Sequence, residues 1–387
     1  MRRPRQAVVG LLCGVAAALT LTASVAIADD NRSGSKKSAV DPVTQAVQGD
    51  PLTQLRISAI SFQDPKYLGE ALSGVIGAFL QRGRLKEALV DLSVIKDPVW
   101  RAHALLHFAA YHRTQDEEGT ASSLVQRAER AAPQDTGRPE AAEILAMIST
   151  RYAEYGDFNS ARRVALSIPA PMQRIGQLNE IARLQARSSD KPRRARAVDS
   201  LRLAFETAKK SPLNRSDRLA ALLAVADASM TLGFRKVSRD VLEFGYGTLA
   251  AEKFRGNSEI VATLTAEMVR VGASGRAMEI VRSLDNDIRH SYVLASVARA
   301  FADANSIEGA VPLFYLARQN ADALEEGPVK AKLLTHIVAE QTRALRLADA
   351  FTTAGKIKPD DAQRQALFAM ADILLDRRRP LEALKLA

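Results

Sequence analysis

Residues 98–133 read PVWRAHALLHFAAYHRTQDEEGTASSLVQRAERAAP, and the spacing inside this stretch decides the fold. Phe108 follows Leu105 by three places, Asp116 stands eight further on, and Ala121 five beyond the aspartate. Apolar residues three and four apart share one face of a helix, aspartate ends helices readily, and a small residue leaves room where two helices cross. The stretch therefore reads as helix, turn, helix. The same spacing recurs nine times along the chain. The first anchor falls on Leu72, Leu105, Leu145, Leu178, Leu222, Val261, Leu294, Leu334 and Leu367. The second falls on Val75, Phe108, Ile148, Ile181, Val225, Leu264, Val297, Ile337 and Met370. All eighteen are apolar; with 47% hydrophobic residues, chance would produce that on the order of once in a million trials.

The turn positions are Gly83, Asp116, Gly156, Ser189, Gly233, Gly272, Asn305, Leu345 and Arg378. Successive intervals are 33, 40, 33, 44, 39, 33, 40 and 33 residues, so that two repeats commonly make a 73-residue unit. Seven of these residues end helices well, because glycine needs no Cβ clearance and Asn, Asp or Ser bonds its own backbone. Leu345 and Arg378 do not belong to that group. Five places after the turn stand Ala88, Ala121, Ala161, Ser238, Ala277, Ala310, Ala350 and Ala383. The fourth repeat breaks the rule, with Arg194 in the slot and Ala195 one late.

Within each repeat the apolar stripe continues at i, i+3, i+4 and i+7, as in Leu294, Val297, Ala298 and Phe301. One helix pair cannot bury such a stripe alone, whereas a stack of pairs can. Pro65, Pro98, Pro133, Pro171, Pro212, Pro328 and Pro359 fall between the proposed helices, where a missing amide donor does least harm. The expected fold class is all-α, with nearly all of the ordered chain helical.

The pattern resembles the tetratricopeptide repeat, a 34-residue helix-turn-helix unit. The second repeat matches it through Leu105, Phe108, Ala109, His112, Asp116, Ala121, Val125, Ala128 and Pro133. The third matches through Leu145, Ile148, Ser149, Tyr152, Gly156-Asp157-Phe158, Ala161 and Ala165. No tryptophan occupies a first anchor, most repeats lack the closing proline, and the longer ones carry about six extra residues. The resemblance covers residues 66–387 and implies a right-handed superhelical α-solenoid of about nine helix-turn-helix repeats, with a binding surface but no particular ligand. Its geometry would line a concave groove with the first helix of each pair. On those helices it points inward Arg113, Arg183, Arg187, Arg270, Arg299, Lys332 and Arg343, with Glu70, Glu143, Glu154, Asp227, Asp303, Asp372 and Asp376 among them. A groove for an acidic protein segment is the corresponding expectation.

The first 28 residues are of another kind. Arg2, Arg3 and Arg5 precede an uncharged, alanine-rich run, and Ala26-Ile27-Ala28 makes a small-x-small cleavage site. The expectation is a signal peptide cleaved after Ala28 and a periplasmic or secreted protein; an uncleaved anchor is the alternative, since residues 6–28 carry no charge. Pro4-Arg5 does not continue a twin-arginine signal, and Leu12 before Cys13 does not fit a lipoprotein signal. Cleavage would remove Cys13, the sole cysteine, and with it any disulfide, thiol nucleophile or cysteine metal site. Residues 29–65 read as a polar, flexible linker or lead-in, of which 51–65 are a lead-in helix or an extended tether, and residues 66–387 form the repeat domain.

The formal charge of +10 falls to +7 once the three leader arginines go, a balance that favours acidic proteins, anionic cell-wall polymers or lipid head groups. Export and the lack of aromatic residues interleaved with the cations argue against nucleic acid. The densest basic run, Lys191-Pro192-Arg193-Arg194-Ala195-Arg196, is either a contact patch or a solvated helix start; Arg377-Arg378-Arg379 poses the same choice. A cation also precedes the first anchor by four places at Arg101, Arg174, Arg218, His290 and Lys330, and by three at Arg364. Pairing with a carboxylate on the preceding helix is the expected role. His103 and His107 share a helix face, but His112 occupies the slot of Phe79 and Tyr152, which marks a packing histidine rather than a zinc ligand. Glu117-Glu118, Glu325-Glu326 and Asp360-Asp361 lie at loops or helix starts, where acids are commonplace. No nucleophile with a base is evident. The sequence thus points to a non-enzymatic envelope scaffold without cofactor or metal; a glycan-binding helical module, or a structural subunit that self-associates through its last helices, are the alternatives.

Overall fold

Seven of the described helices open on a proline, because the first-turn amide has no partner inside a helix and its loss costs little there. These are Pro51, Pro65, Pro98, Pro139, Pro171, Pro328 and Pro380. Asp64 and Asp97 stand just before two of them and accept first-turn amide hydrogens, from Lys66 and from Val99 and Trp100 respectively. The computed structural model describes residues 50–133, 137–250, 257–284 and 288–384. The expected leader of residues 1–28 and the expected linker up to residue 49 lie outside that set. Met1–Leu55 and Arg56–Ala387 separate into two units.

Helix α1 (Pro51–Ile60) makes residues 51–60 helical, which settles the choice between lead-in helix and extended tether for that stretch. Nine pairs follow. They are α2 (Pro65–Gln81) with α3 (Leu85–Val94), α4 (Pro98–Thr114) with α5 (Glu118–Ala131), and α6 (Pro139–Glu154) with α7 (Phe158–Ser167). The fourth repeat has α8 (Pro171–Ala186), a short α9 (Lys191–Ala195) and α10 (Ala197–Lys210). Next come α11 (Arg215–Thr231) with α12 (Arg235–Ala250), α13 (Ser258–Arg270) with α14 (Ser274–Ser283), and α15 (Ile288–Asp303) with α16 (Ile307–Asp322). The last are α17 (Pro328–Arg343) with α18 (Leu347–Ala354), and α19 (Asp360–Asp376) with α20 (Pro380–Leu384). No strand occurs among the described residues. Substantial packing is confined to a helix's own repeat or the next one, and each first helix lies against the first helix of the following repeat. This nearest-neighbour pattern is an all-α solenoid.

Eight of the nine turn positions hold one conformation. Gly83, Asp116, Gly156, Gly233, Gly272, Asn305, Leu345 and Arg378 all have left-handed backbone, with φ from 59° to 85°. Two hydrogen bonds close each turn. At the first, Gly83 N–H donates to the Leu80 carbonyl at 3.0 Å and Arg84 N–H to that of Phe79 at 2.9 Å; at the eighth, Leu345 N–H donates to Thr342 at 2.9 Å and Arg346 N–H to Gln341 at 2.8 Å. These are paired C-terminal caps that satisfy otherwise orphaned carbonyls. Leu345 and Arg378, which composition does not mark as turn formers, make the same turn as the glycines.

Ser189 is the exception. The Arg187 cap is right-handed, and α9 is inserted before the second helix begins. This corrects the expected small-residue slot. Arg194 and Ala195 lie in α9 and do not fill it; Ser200 does, as the fourth residue of α10, the place that Ala88, Ala121 and Ala161 hold in α3, α5 and α7. Ser200 is fully buried and its Oγ donates to Gln185 Oε1 at 2.6 Å. Seventeen of the eighteen anchors are buried, Leu367 of the last repeat being half-buried.

The recurrent cation before the first anchor has a different partner from the one expected. Arg101 Nη1 donates to the Ile95 carbonyl at 3.3 Å, Arg174 Nε to Ile168 at 2.9 Å, and Arg218 Nη2 to Ser211 and Leu213 at 3.4 and 3.3 Å. Ile95, Ile168 and Ser211 are the residues that end α3, α7 and α10. Lys330 combines both roles, reaching the Asp322 and Leu324 carbonyls and also Glu326 Oε1 at 2.8 Å. In these four repeats a cation on the incoming first helix caps the carbonyl end of the preceding second helix, where the dipole is negative, whereas Arg364 pairs with Asp361 of its own helix. Carbonyl oxygens at a helix end have no helical partner, and that is why the side chains turn to backbone.

Two substitutions separate these effects. Leu345→Gly removes a left-handed penalty of about 1 kcal/mol, less the entropy cost of glycine, and should raise the thermal midpoint, whereas Ser189→Gly should not. Arg174→Met keeps the aliphatic stem but loses the cap; urea unfolding should show a loss of about 1–2 kcal/mol, against less than about 0.5 for Arg187→Met.

Candidate functional site

Nine residues beyond the first anchor, the last four repeats carry Arg270, Asp303, Arg343 and Asp376, alternating in sign. Those positions close the first helices α13, α15, α17 and α19, two residues before the left-handed residue. Because first helices stack on first helices, the first step of the alternation sets Arg270 beside Asp303. Arg270 pairs with Glu267 on its own helix and reaches Asp303 on α15 at 3.7 Å. Asp303 also receives Arg299 at 3.1 Å and Arg377, just past α19, at 3.8 Å. Arg299 lies 3.9 Å from Glu340 on α17, which holds Arg343 at 2.5 Å.

Burial shapes the electrostatics of this lattice. Glu340 is 6% exposed although it carries two cations. Burial pushes the Glu267 carboxyl above the usual range; Arg270 pulls it back and Asp227 of α11 pushes in the same direction as burial. The Arg299 guanidinium is lowered by burial and then by Arg270, with Asp303 and Glu340 opposing. Four arginines face three carboxylates, and Asp227 adds a fourth negative charge beside Glu267. The assembly is a charge-balanced surface in which Arg270 and Arg343 are oriented by hydrogen bonds to Glu267 and Glu340, while Arg299 lies beside Asp303 as an ion pair.

Of the groove residues expected from sequence, Arg270, Arg299 and Arg343 come together here with Asp303. Arg113 stands apart, paired with Glu118 and placed over the Tyr155 ring at 5.5 Å. Arg183 pairs with Glu180 of its own helix at 3.3 Å. Arg187 and Lys332 are exposed. Glu267, Glu340 and Arg377 were not among the expected residues. Their signal is present in the chain as i,i+3 spacing, Glu267 to Arg270 and Glu340 to Arg343.

No protein-family profile matches the chain, and no curated protein is similar to it. Among solved structures, it is similar to Ton1535 from Thermococcus onnurineus NA1, at 18% identity over 80% of this chain and 92% of that one, with a TM-score of 0.29. It is also similar to a circular tandem repeat protein with novel repeat topology and enhanced subunit contact surfaces, at 15% identity over 87% and 86%, again with a TM-score of 0.29. Likeness at that level has no bearing on function.

The histidines of α4 are packing residues. Ser73 Oγ and His103 Nδ1 are 2.7 Å apart, and the His103 and His107 rings meet edge to face at 4.7 Å. His107 lies so close to α2 that a Cβ on Gly77 would come within 2.9 Å of its Cε1. His112 is half-buried and bonds Glu117 Oε2 at 2.7 Å. Glu118, Glu326 and Asp361 pair with Arg113, Lys330 and Arg364, so one carboxylate of each acidic couple is bound to a cation. Among the described residues no three His, Cys, Asp or Glu side chains are placed to share a metal.

Burial lowers the His107 imidazole from 6.5 to about 4, and lowers His103 in the same direction. The fold favours the neutral ring, so this contribution is complete above the unfolded value and is lost as pH falls from 6.5 toward 4. Between about pH 6.5 and 5, above most carboxylate titration, His107 alone should cost the fold about 2 kcal/mol. Urea unfolding of His107→Gln across that window should show a correspondingly flatter pH dependence.

Proposed function

We propose that this protein is a non-enzymatic binding scaffold of the bacterial cell envelope, a degenerate tetratricopeptide-like solenoid that holds a protein segment along the face of its first helices. One observation carries the reading: the lattice of Glu267, Arg270, Arg299, Asp303, Glu340 and Arg343 spans three consecutive first helices and keeps its arginines oriented while leaving them partly open, at 26%, 26% and 39% side-chain exposure. Preorganised guanidinium groups bind carboxylates at little entropic cost. Arg183, Arg187 and Lys332 extend the face with cations that are weakly paired or exposed. A net charge of +7 once Arg2, Arg3 and Arg5 are removed from the full +10 favours an acidic partner.

Export rests on Arg2, Arg3, Arg5, the uncharged run to Ala28 and the Ala26-Ile27-Ala28 site, all outside the described residues. No described helix is long and apolar enough to cross a membrane. A second reading, self-association through the last pair, is favoured by the exposure of Phe368, Leu375, Leu381 and Leu384 on α19 and α20. Mass measurement by light scattering at rising concentration separates it from the first: a dimer abolished by Leu381→Glu with Leu384→Glu supports association, and a monomer throughout excludes it.

The groove reading is tested by reversing cations that no buried carboxylate needs. Arg183→Glu, Arg187→Glu and Lys332→Glu together should leave the melting profile unchanged and cut recovery of a co-purified acidic envelope protein by about tenfold. Equal recovery by variant and parent overturns the reading. Amino-terminal sequencing of the protein recovered from an exporting host should begin at Asp29; retention of Met1 overturns cleavage.

A further inference from the structure

The fourth repeat departs from the other eight at one place, and that place is also where arginines gather. Insertion of α9 after Ala186 leaves a half-open cavity of about 200 Å³ against the start of α7. Arg162 of α7, Arg193 of α9 and Arg196 just past it line the cavity, together with Asp157 and Asn159. The amino-terminal end of α7, where the helix dipole is positive, forms one wall.

The two carboxylates near these cations are already engaged. Asp157 Oδ1 caps α7 by accepting the Ser160 amide hydrogen at 3.0 Å, and Asp190 pairs with Arg193 at 3.2 Å. Arg162 Nη2 donates to the neutral Asn159 Oδ1 at 2.8 Å, so its charge is not cancelled there. Arg196 has no side-chain partner among the described residues. Gly156 lets Arg193 come close: a Cβ at that residue would lie 3.1 Å from Arg193 Nη1. Turn, inserted helix and arginines thus form one arrangement, in which positive charge exceeds what the protein supplies to balance it.

We propose that this cavity binds a phosphate group. A carboxylate has two oxygens and is satisfied by a single guanidinium fork, whereas a phosphate presents three or four oxygens and one or two charges, enough for three guanidinium groups at once. The volume is that of several waters at about 30 Å³ each, so a phosphate fits with part of its hydration shell. The phosphate is either that of a soluble ester or that of a lipid headgroup; both present the same oxygens. This site is separate from the lattice on α13, α15 and α17 and does not depend on the function proposed for it.

Calorimetric titration with inorganic pyrophosphate, and co-sedimentation with phosphatidylcholine vesicles with and without phosphatidylglycerol, test the site and distinguish the two sources. Arg162→Ala with Arg196→Ala should weaken binding in whichever arm is positive by about tenfold or more. Arg202→Ala with Arg235→Ala removes equal charge elsewhere on the surface and should change it by less than about twofold. Thermal melting of both variants checks that the fold is intact. Pyrophosphate binding lost only in the first variant assigns a soluble phosphate ligand, and phosphatidylglycerol-dependent sedimentation lost only in that variant assigns a lipid phosphate. Failure of the parent protein to bind in either arm, or equal weakening by the two variants, overturns the proposal.

Discussion

Eight of the nine repeats of this solenoid hang on a single residue held in left-handed backbone. At Gly83, Asp116, Gly156, Gly233, Gly272, Asn305, Leu345 and Arg378 the same two amide hydrogens turn back onto the preceding helix, and the angle between the paired helices follows. Once that angle is set, the fourth residue of the second helix must be small, because it lies where the two axes pass closest. Ala88, Ala121, Ala161, Ala277 and Ala350 are accordingly shut off from solvent. The anchors on the first helix then meet those of the next repeat, and burial of a leucine at each site contributes about 1.5–3 kcal/mol. That the conformation persists at a leucine and an arginine shows the geometry to be imposed by the pair and not merely permitted by glycine.

A second joint works between repeats. Arg101, Arg174, Arg218 and Lys330 reach back from an incoming first helix to the last carbonyls of the previous second helix. The left-handed turn fixes geometry within a pair, and this cation fixes it from one pair to the next. With both joints set, helical phase is preserved along the row of first helices. Residues nine beyond the first anchor therefore fall on a common face, and charges placed there must confront one another.

Much of this could be read before any coordinates. Spacing alone located the nine pairs and all but one of the turn positions and of the small-residue slots, since those features depend on residues close together in sequence. Ser200 was missed because the 44-residue interval does not say where its extra residues go. Leu345 was undervalued because propensity describes isolated chains, whereas packing on both sides overrides it here. The lattice around Asp303 was half legible: Arg270, Arg299 and Arg343 stood out as cations, but the buried carboxylates that hold them lie a repeat away or three residues back on the same face, a spacing too common to single them out. Carbonyl acceptors such as those of Ile95 and Ile168 are present in every residue, so no sequence pattern marks them.

An array of near-equivalent helix pairs runs a folding hazard that a unique core does not, because a pair can dock on the wrong neighbour and still bury its apolar stripe. Hydrophobic anchors cannot prevent this, for they are alike in every repeat. The alternation of Arg270, Asp303, Arg343 and Asp376 can. Skipping one repeat would set Arg270 beside Arg343 and Asp303 beside Asp376, with like charges in contact at a partly buried seam. The Arg270–Asp303 contact thus acts as an address between the sixth and seventh repeats, and it supplies an order of assembly that the apolar pattern leaves unstated.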